Sequence, residues 1–146
     1  MKTLTLPVNK AAFDMLSDPN PETRKNEEYR TATEFWARRF LWFNSYGLTE
    51  DPGVWAEFID CLANGCRGYQ DLNEMNKCFG AEIKQFDLIK FTNGYGHKVP
   101  SVTREWKGLT IGKPNQLWVP KGFLDLDKNY IRIQLGEIIN QVPNGQ

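Results

Sequence analysis

The stretch Tyr130-Ile-Arg-Ile-Gln-Leu135 decides the fold class, because its apolar and polar residues alternate without a break. Such alternation places every second side chain on one face of a β-strand. Ile131, Ile133 and Leu135 are therefore predicted to face a core. Gly136 separates this strand from a second short apolar segment at 137–139.

The rest of the chain from Gly80 onward has the same strand-rich character. Further strands are predicted at 86–91, 99–108, 109–111 and 117–119. Turn residues at 93–96 and 112–115 separate them. Near the start of the chain, residues 4–8 alternate in the same way and predict one more strand. The very polar segment 22–30 is predicted to be extended at the rim of the core.

The region between the first strand and Gly80 is predicted to be mainly helical. Helices are predicted at 10–16, 33–46, 51–64 and, on a weaker pattern, 70–79. Asn9 can cap the first helix, and Asp51 followed by Pro52 is a typical start for the third. This order of elements favours an α+β fold with a mostly antiparallel sheet or small barrel over alternating βαβ units. The 146 residues correspond to a single domain, 1–146, without repeats or linkers.

The composition limits the classes of function. Eighteen Lys and Arg balance eighteen Asp and Glu, so the formal net charge is zero. Proteins that coat duplex nucleic acid usually carry a basic excess, which argues against a wide phosphate-tracking surface but allows a small pocket for a nucleotide or a single strand. The chain has no signal-like segment and no apolar run of about 18 residues, so no membrane partner is expected.

The cysteines and the histidine give no sign of a metal site. Cys61, Cys66 and Cys78 form no Cys-x-x-Cys pair, and His97 is the only histidine. A structural zinc site needs more ligands than this, and we expect no metal and no cofactor. The odd cysteine count favours reduced thiols in a cytoplasmic protein.

The segment Lys25-Asn-Glu-Glu-Tyr-Arg30 is the first candidate for chemistry. In an extended chain Glu28 and Arg30 share a face, and a turn lets Lys25 join them. A partly desolvated Lys-Glu-Arg cluster can hold a polar planar ligand or position a water beside a polarised carbonyl. The simpler interpretation is a solvated ion-pair cluster, worth about 0–1 kcal/mol per exposed pair.

Two other aromatic segments are weaker candidates. In the turn around Asn93 and Tyr95, the flanking glycines leave a prominent ring that can stack on a base or simply cover the barrel mouth. Trp36 with Arg38 and Arg39 can present basic groups beside an aromatic ring. The same pattern is typical of a helix with one buried and one solvated face.

The strongest of these signals resembles a family signature. Lys25-x-x-Glu28-x-Arg30, shortly after a strand-helix unit, is similar to the K-x-x-E-x-R element of ASCH domains. The segment 86–91 resembles the next strand of that family, and the strands at 99–111 and 130–135 fall where its remaining barrel strands would. These matches span most of the chain outside residues 42–85.

The resemblance implies a PUA-like, mostly antiparallel small β-barrel with flanking helices and a helical insertion at about 42–85. It also implies an RNA-associated role, since the family is linked to RNA binding and its characterised enzymes include ribonucleases and amidohydrolases acting on an acylated cytidine. Some members are encoded by phages or prophages. In the family the signature lines a ligand cleft, which assigns Lys25, Glu28 and Arg30 to that cleft.

Besides the helical insertion, the sequence departs from the family pattern at two positions. The amidohydrolase subgroup has a threonine, its proposed nucleophile, where this chain has Glu28. The threonine mechanism therefore does not transfer. The glycine that usually precedes the aspartate of the next strand is replaced by Phe86 before Asp87.

The leading prediction is an ASCH-like domain that binds RNA, single-stranded nucleic acid or a nucleotide in a cleft. Glu28 and Arg30 would recognise polar edges of a base or ribose, and Lys25 would meet a phosphate or carbonyl. Asn93 and Tyr95 would lie at the rim of this cleft.

Two alternatives remain open from the sequence. The first is a metal-independent hydrolase, a ribonuclease or nucleoside amidohydrolase, in which Lys25 polarises an oxygen and Glu28 activates water. The second is an interaction module whose helical insertion binds a protein partner. Exposed rings at Trp42, Trp55 or Phe79 would be its sign.

Overall fold

The computed structural model describes residues 1–43, 52–65, 72–74, 80–96, 98–119 and 123–143. The strands are β1 Thr3–Val8, β2 Glu27–Thr31, β3 Leu41–Phe43, β4 Ala81–Ile83, β5 Leu88–Asn93, β6 Ser101–Gly112 and β7 Tyr130–Val142. The helices are α1 Lys10–Leu16, α2 Glu34–Phe40 and α3 Pro52–Asn64. In these ranges, no helix has the length and apolar character needed to cross a membrane.

Five strands form a curled, mixed sheet, a half-barrel in the order β1-β5-β6-β7-β2. The pair β1–β5 is parallel, and the other three neighbouring pairs are antiparallel. The prediction of an α+β fold with a mostly antiparallel sheet is therefore confirmed. Because the sheet curls without closing, β1 and β2 are its two edges. Most of β2 comes from the end of the polar segment 22–30, which was predicted to be extended.

The longest strand confirms the alternation that decided the fold class. Ile131, Ile133 and Leu135 are all buried. Gly136 does not interrupt the strand, which continues to Val142 and pairs with β6 along most of its length. The pairing shifts register around Arg104, which marks a bulge.

Two predicted elements differ in the structure. The helix predicted at 33–46 ends at Phe40, because Leu41 is extended and the next residues pair with β4 as a separate two-stranded sheet. The prediction of a strand at 117–119 is wrong. Gln116–Trp118 is a single 3-10 turn, and the Asn115 side chain caps it by accepting a hydrogen bond from the backbone of Leu117.

The other helix predictions are confirmed where the structure describes them. Asn9 caps α1 by accepting from the Ala12 backbone N–H at 2.8 Å. In α3, Trp55 and Phe58 are buried. Of the helix predicted at 70–79, residues 72–74 are helical and the rest lies outside the described residues.

Cys61, near the end of α3, is disulfide-bonded. The expectation of reduced thiols is therefore wrong for this residue. Its partner lies outside the described residues. Disulfides are rare in compartments that keep thiols reduced, so the bond lends no support to the cytoplasmic location, which stays a prediction.

Candidate functional site

Lys25, Glu28 and Arg30 converge in the folded chain. The Lys25 ammonium lies 3.0 Å from Glu28 Oε1, and an Arg30 guanidinium nitrogen lies 3.6 Å from Glu28 Oε2. Lys25 is 3% exposed and Glu28 is 5% exposed. The cluster is therefore buried, and the interpretation as a solvated surface ion pair does not hold.

The backbone around Lys25 is fixed by long-range hydrogen bonds. The Lys25 backbone N–H donates to the Met15 carbonyl at the end of α1, at 2.9 Å. Its carbonyl accepts from the Arg104 guanidinium at 2.8 Å. The next carbonyl, of Asn26, accepts from the Leu135 backbone N–H on β7 at 3.0 Å. The turn that brings Lys25 to Glu28 is thus held by both α1 and the sheet.

Arg104 is a positioning residue that sequence reasoning missed. Its side chain is fully buried and donates to the carbonyls of Leu16, Lys25 and Gly136 and to the Asn26 side-chain oxygen, at 2.7–2.9 Å. Burial lowers the pKa of this guanidinium to about 10, with the charge of Arg24 acting in the same direction and Glu137 opposing it. At neutral pH it therefore stays charged.

A signal for Arg104 was present in the sequence. Val102, Arg104 and Trp106 occupy alternate positions of β6 and are all buried. An arginine in the inward set of an alternating strand is an informative exception, because charged residues are almost never fully buried unless they are paired.

Arg30 joins the two edges of the half-barrel. Its guanidinium, on β2, donates to the Pro7 carbonyl on β1 at 3.0 Å and lies 4.6 Å from the centre of the Trp36 ring. Within the described chain, Arg30 Nε is a buried donor without a hydrogen-bond partner. Burial lowers the pKa of Arg30, and the nearby Glu28 carboxylate opposes this effect. An unpaired buried donor costs about 1–3 kcal/mol.

These side chains line a cavity of about 190 Å³, here called the Lys-Glu-Arg cavity. Its described lining residues are Val8, Asn9, Ala12, Lys25, Glu28, Tyr29, Arg30, Trp118, Val119, Phe123 and Leu124. Two cations and one carboxylate give this lining a net charge of +1. One wall is polar and buried, and the wall from the β6–β7 connection is aromatic and aliphatic.

Two tyrosine hydroxyls hold the β6–β7 connection beside the cavity. Tyr29 donates to Glu27 at 3.0 Å and accepts from the Asn115 backbone N–H at 2.9 Å, directly before the turn that carries Trp118. Tyr130 accepts from the Asp125 backbone N–H at 3.0 Å. Burial raises the pKa of Tyr29, so its hydroxyl remains a donor at neutral pH.

The two predicted rim residues do not line the cavity. Asn93 lies at the end of β5, where it pairs with Val8, a lining residue of the neighbouring strand. Tyr95 is 88% exposed, and its phenol acts on Arg30 only as a lesser influence on the guanidinium pKa. Trp118 and Phe123 occupy the lining instead. His97 lies outside the described residues.

The cluster can both donate to and accept from a ligand. Glu28 Oε1 is engaged by Lys25 and by the Tyr29 backbone N–H at 3.0 Å, whereas among the described residues Oε2 faces only the more distant Arg30. A lysine carries three donors, and the described residues take one of those of Lys25. Within the described chain, no group of three or more His, Cys, Asp or Glu side chains could hold a metal ion.

The rings proposed as a protein-binding surface are only partly exposed. Trp55 is 2% exposed and belongs to the core, which weakens that hypothesis. Trp42 is 48% exposed, and Phe79 lies outside the described residues.

Comparison of the chain with protein-family models, with curated proteins and with solved structures finds no match.

Proposed function

We propose that this chain is a PUA-like, ASCH-type domain that binds a nucleotide or a nucleotide unit of single-stranded RNA in the Lys-Glu-Arg cavity. The observation that carries the proposal is the buried convergence of Lys25, Glu28 and Arg30, with Arg30 Nε unpaired among the described residues. The sequence resemblance to the ASCH signature supports the same assignment.

The energetics of the cluster support a binding role. Removing an ion pair from water costs more than its attraction usually returns, so a buried pair is weak support for stability. Here a second cation adds uncompensated positive charge to the lining. Burial lowers the pKa of Arg30, which lines the cavity, and ionisable groups perturbed in this way in a cleft are typical of functional sites. The cluster is better explained by an anionic or strongly polar ligand than by stabilisation of the fold.

The size and walls of the cavity favour a single ring system. Drug-sized ligands occupy sites of about 300–1,000 Å³, and the cavity is smaller, at about 190 Å³. Trp118 and Phe123 offer apolar surface to the face of a base. Glu28 Oε2 can accept from an exocyclic amino group, and Lys25 and Arg30 can donate to a carbonyl or a phosphate oxygen.

Binding of a labelled single-stranded RNA and of mononucleotides, followed by anisotropy and calorimetry, tests the proposal. The double variant Lys25→Met/Glu28→Gln removes both charges of the Lys25–Glu28 pair and leaves Arg30 as the single charge of the cluster. We expect it to lose at least about tenfold in affinity, since charge-assisted hydrogen bonds contribute about 1.5–3 kcal/mol each.

The matched control is Lys10→Met/Asp14→Asn, which removes an exposed pair with a 2.7 Å separation on α1. It should bind like the original chain. Thermal unfolding of both variants checks that each is folded. Unchanged affinity in a folded Lys25→Met/Glu28→Gln variant would refute the proposal.

The hydrolase alternative has one supporting observation, the lighter engagement of Glu28 Oε2. This oxygen has capacity to accept a hydrogen bond from water, as a general base must. Mass spectrometry of the RNA and of acylated nucleosides after incubation detects turnover. Turnover that Glu28→Gln abolishes in a folded protein would establish it, whereas full activity in that variant would exclude Glu28 as the base.

A further inference from the structure

A second pocket, of about 440 Å³, lies on another part of the surface. Its described lining residues are Lys2, Leu4, Arg38, Arg39, Trp42, Lys84 and Phe86, and we call it the basic pocket. Four of these described lining residues are cations, and none of them is a carboxylate. The zero net charge of the chain therefore conceals an uneven distribution of charge.

Backbone contacts bring the cations together from separate elements. Lys2 precedes β1 and is tied by its backbone N–H to Asp87 Oδ2 at 2.7 Å. Arg38 lies in the last turn of α2. Lys84 follows β4, and its backbone N–H donates to the Phe40 carbonyl at 2.8 Å while its ammonium donates to the Arg38 carbonyl at 2.9 Å.

The cations of the basic pocket are only partly compensated. Arg38 pairs with Glu34 at 3.3 Å. Among the described residues, Lys2, Arg39 and Lys84 make no ion pair. Burial lowers the pKa of Lys84, and the positive charges of Lys2 and Arg39 lower it further. The repulsion between these groups would be relieved by a bound anion.

Aromatic rings lie among the cations. The Lys2 ammonium is 5.9 Å from the centre of the Trp42 ring and 5.2 Å from that of Phe86. Trp42 is held at its indole nitrogen, which donates to Glu82 at 3.2 Å, and about half of its surface is exposed. Proteins usually bind single-stranded nucleic acid through basic side chains that contact the phosphate backbone and aromatic rings on which the bases stack.

We propose that the basic pocket binds the phosphate backbone of a single-stranded nucleic acid, with one base stacked on Trp42. The ligand class rests on the proposed function, but the residues are separate from those of the Lys-Glu-Arg cavity. Trp36 connects the two sites, because its ring lies 4.6 Å from the guanidinium carbon of Arg30 and 5.8 Å from that of Arg39. One lining residue of each site therefore contacts the same ring.

The salt dependence of binding to a fluorescein-labelled oligouridylate tests this inference. For single strands, each phosphate contact contributes about −0.7 to the slope of log K against log salt concentration. The variant Lys2→Gln/Lys84→Gln is expected to make that slope shallower by about 1.4. Trp42→Ala is expected to reduce affinity at least about fivefold, the lower end for one stacked base.

The control Lys90→Gln/Lys128→Gln removes the same charge from two exposed positions outside the basic pocket. Its slope should stay unchanged. Equal changes in both double variants, or no change in either, would overturn the inference. So would equally tight binding of a poly-glutamate peptide, which would assign the pocket to acidic proteins.

The two proposals fail in different ways. If Lys25→Met/Glu28→Gln loses binding and Lys2→Gln/Lys84→Gln keeps both slope and affinity, the basic pocket is refuted and the cavity stands. If Lys25→Met/Glu28→Gln keeps its affinity and Lys2→Gln/Lys84→Gln loses slope and affinity, the cavity is refuted and the basic pocket stands.

Discussion

Replacing the fully buried Arg104 by methionine should destabilise the protein strongly. Methionine has a similar length and no donor, so the variant fills most of the space but leaves four acceptors without their partner. Two of these, the carbonyls of Leu16 and Lys25, are in fully buried hydrogen bonds. The other two, on Gly136 and Asn26, are partly buried and can gain water.

The magnitude follows from the cost of a buried unpaired group, about 1–3 kcal/mol. Two fully buried carbonyls give about 2–6 kcal/mol, and the partly buried acceptors add less. Removing the charge recovers part of the cost of burying it. We therefore expect a loss of about 3–5 kcal/mol, a large fraction of the roughly 5–15 kcal/mol typical of a domain.

Urea unfolding measures this loss, with an unchanged m-value as the sign that the same surface unfolds. Arg132→Met is the control, because Arg132 is partly exposed and its main bond is to Thr110, at 2.9 Å. The control should lose no more than about 1 kcal/mol. A loss below about 1 kcal/mol in Arg104→Met, or equal losses in both variants, would show that the Arg104 contacts do not hold the fold.

Three further outcomes are expected. Burial raises the pKa of the Tyr29 phenol above its usual 10.0. The stability that the neutral phenol contributes is therefore complete below pH 10 and is lost as the pH rises further. Tyr29→Phe should weaken this pH dependence in alkaline thermal melts. Of the three cysteines, iodoacetamide under denaturing, non-reducing conditions should label one, and never Cys61, whereas all three should react after reduction. A Cβ at Gly136 would lie 2.9 Å from Glu105 Cβ, so Gly136→Ala should lose about 1–3 kcal/mol in urea unfolding; Gly112→Ala meets only a flexible guanidinium and should lose less.

Periodicity located most of the longer elements, and also β1 and α1, but it failed on the three-residue strands β3 and β4. The first half of β7 carries several repeats of one pattern, so its buried face was identified correctly. The sequence assigns the residues of β3 to the same helix as α2, because three residues are too few for periodicity to distinguish a strand from a helix. Their conformation is decided by pairing with β4, which lies about 40 positions away in the chain.

Only the part of the site that is local in the chain could be predicted from the sequence. Lys25, Glu28 and Arg30 lie within six residues, so a local motif could bring them to attention. The Arg104–Lys25 bond spans 79 positions, and the aromatic wall at Trp118 and Phe123 is placed by tertiary contacts of the β6–β7 connection. No local pattern encodes such distances, although the inward position of Arg104 in β6 gave a hint.

Arg104 is fully buried and Arg30 is partly buried, and their hydrogen bonds distinguish their roles. Arg104 donates to four protein acceptors from three parts of the chain, so its capacity is used within the fold. Arg30 uses one nitrogen on Pro7 and Glu28 and keeps Nε unpaired within the described chain. A donor left unpaired in the interior destabilises the protein unless a ligand compensates for it. The fold thus uses one guanidinium as a brace for Lys25 and leaves the other, in the lining of the Lys-Glu-Arg cavity, with unused capacity to donate.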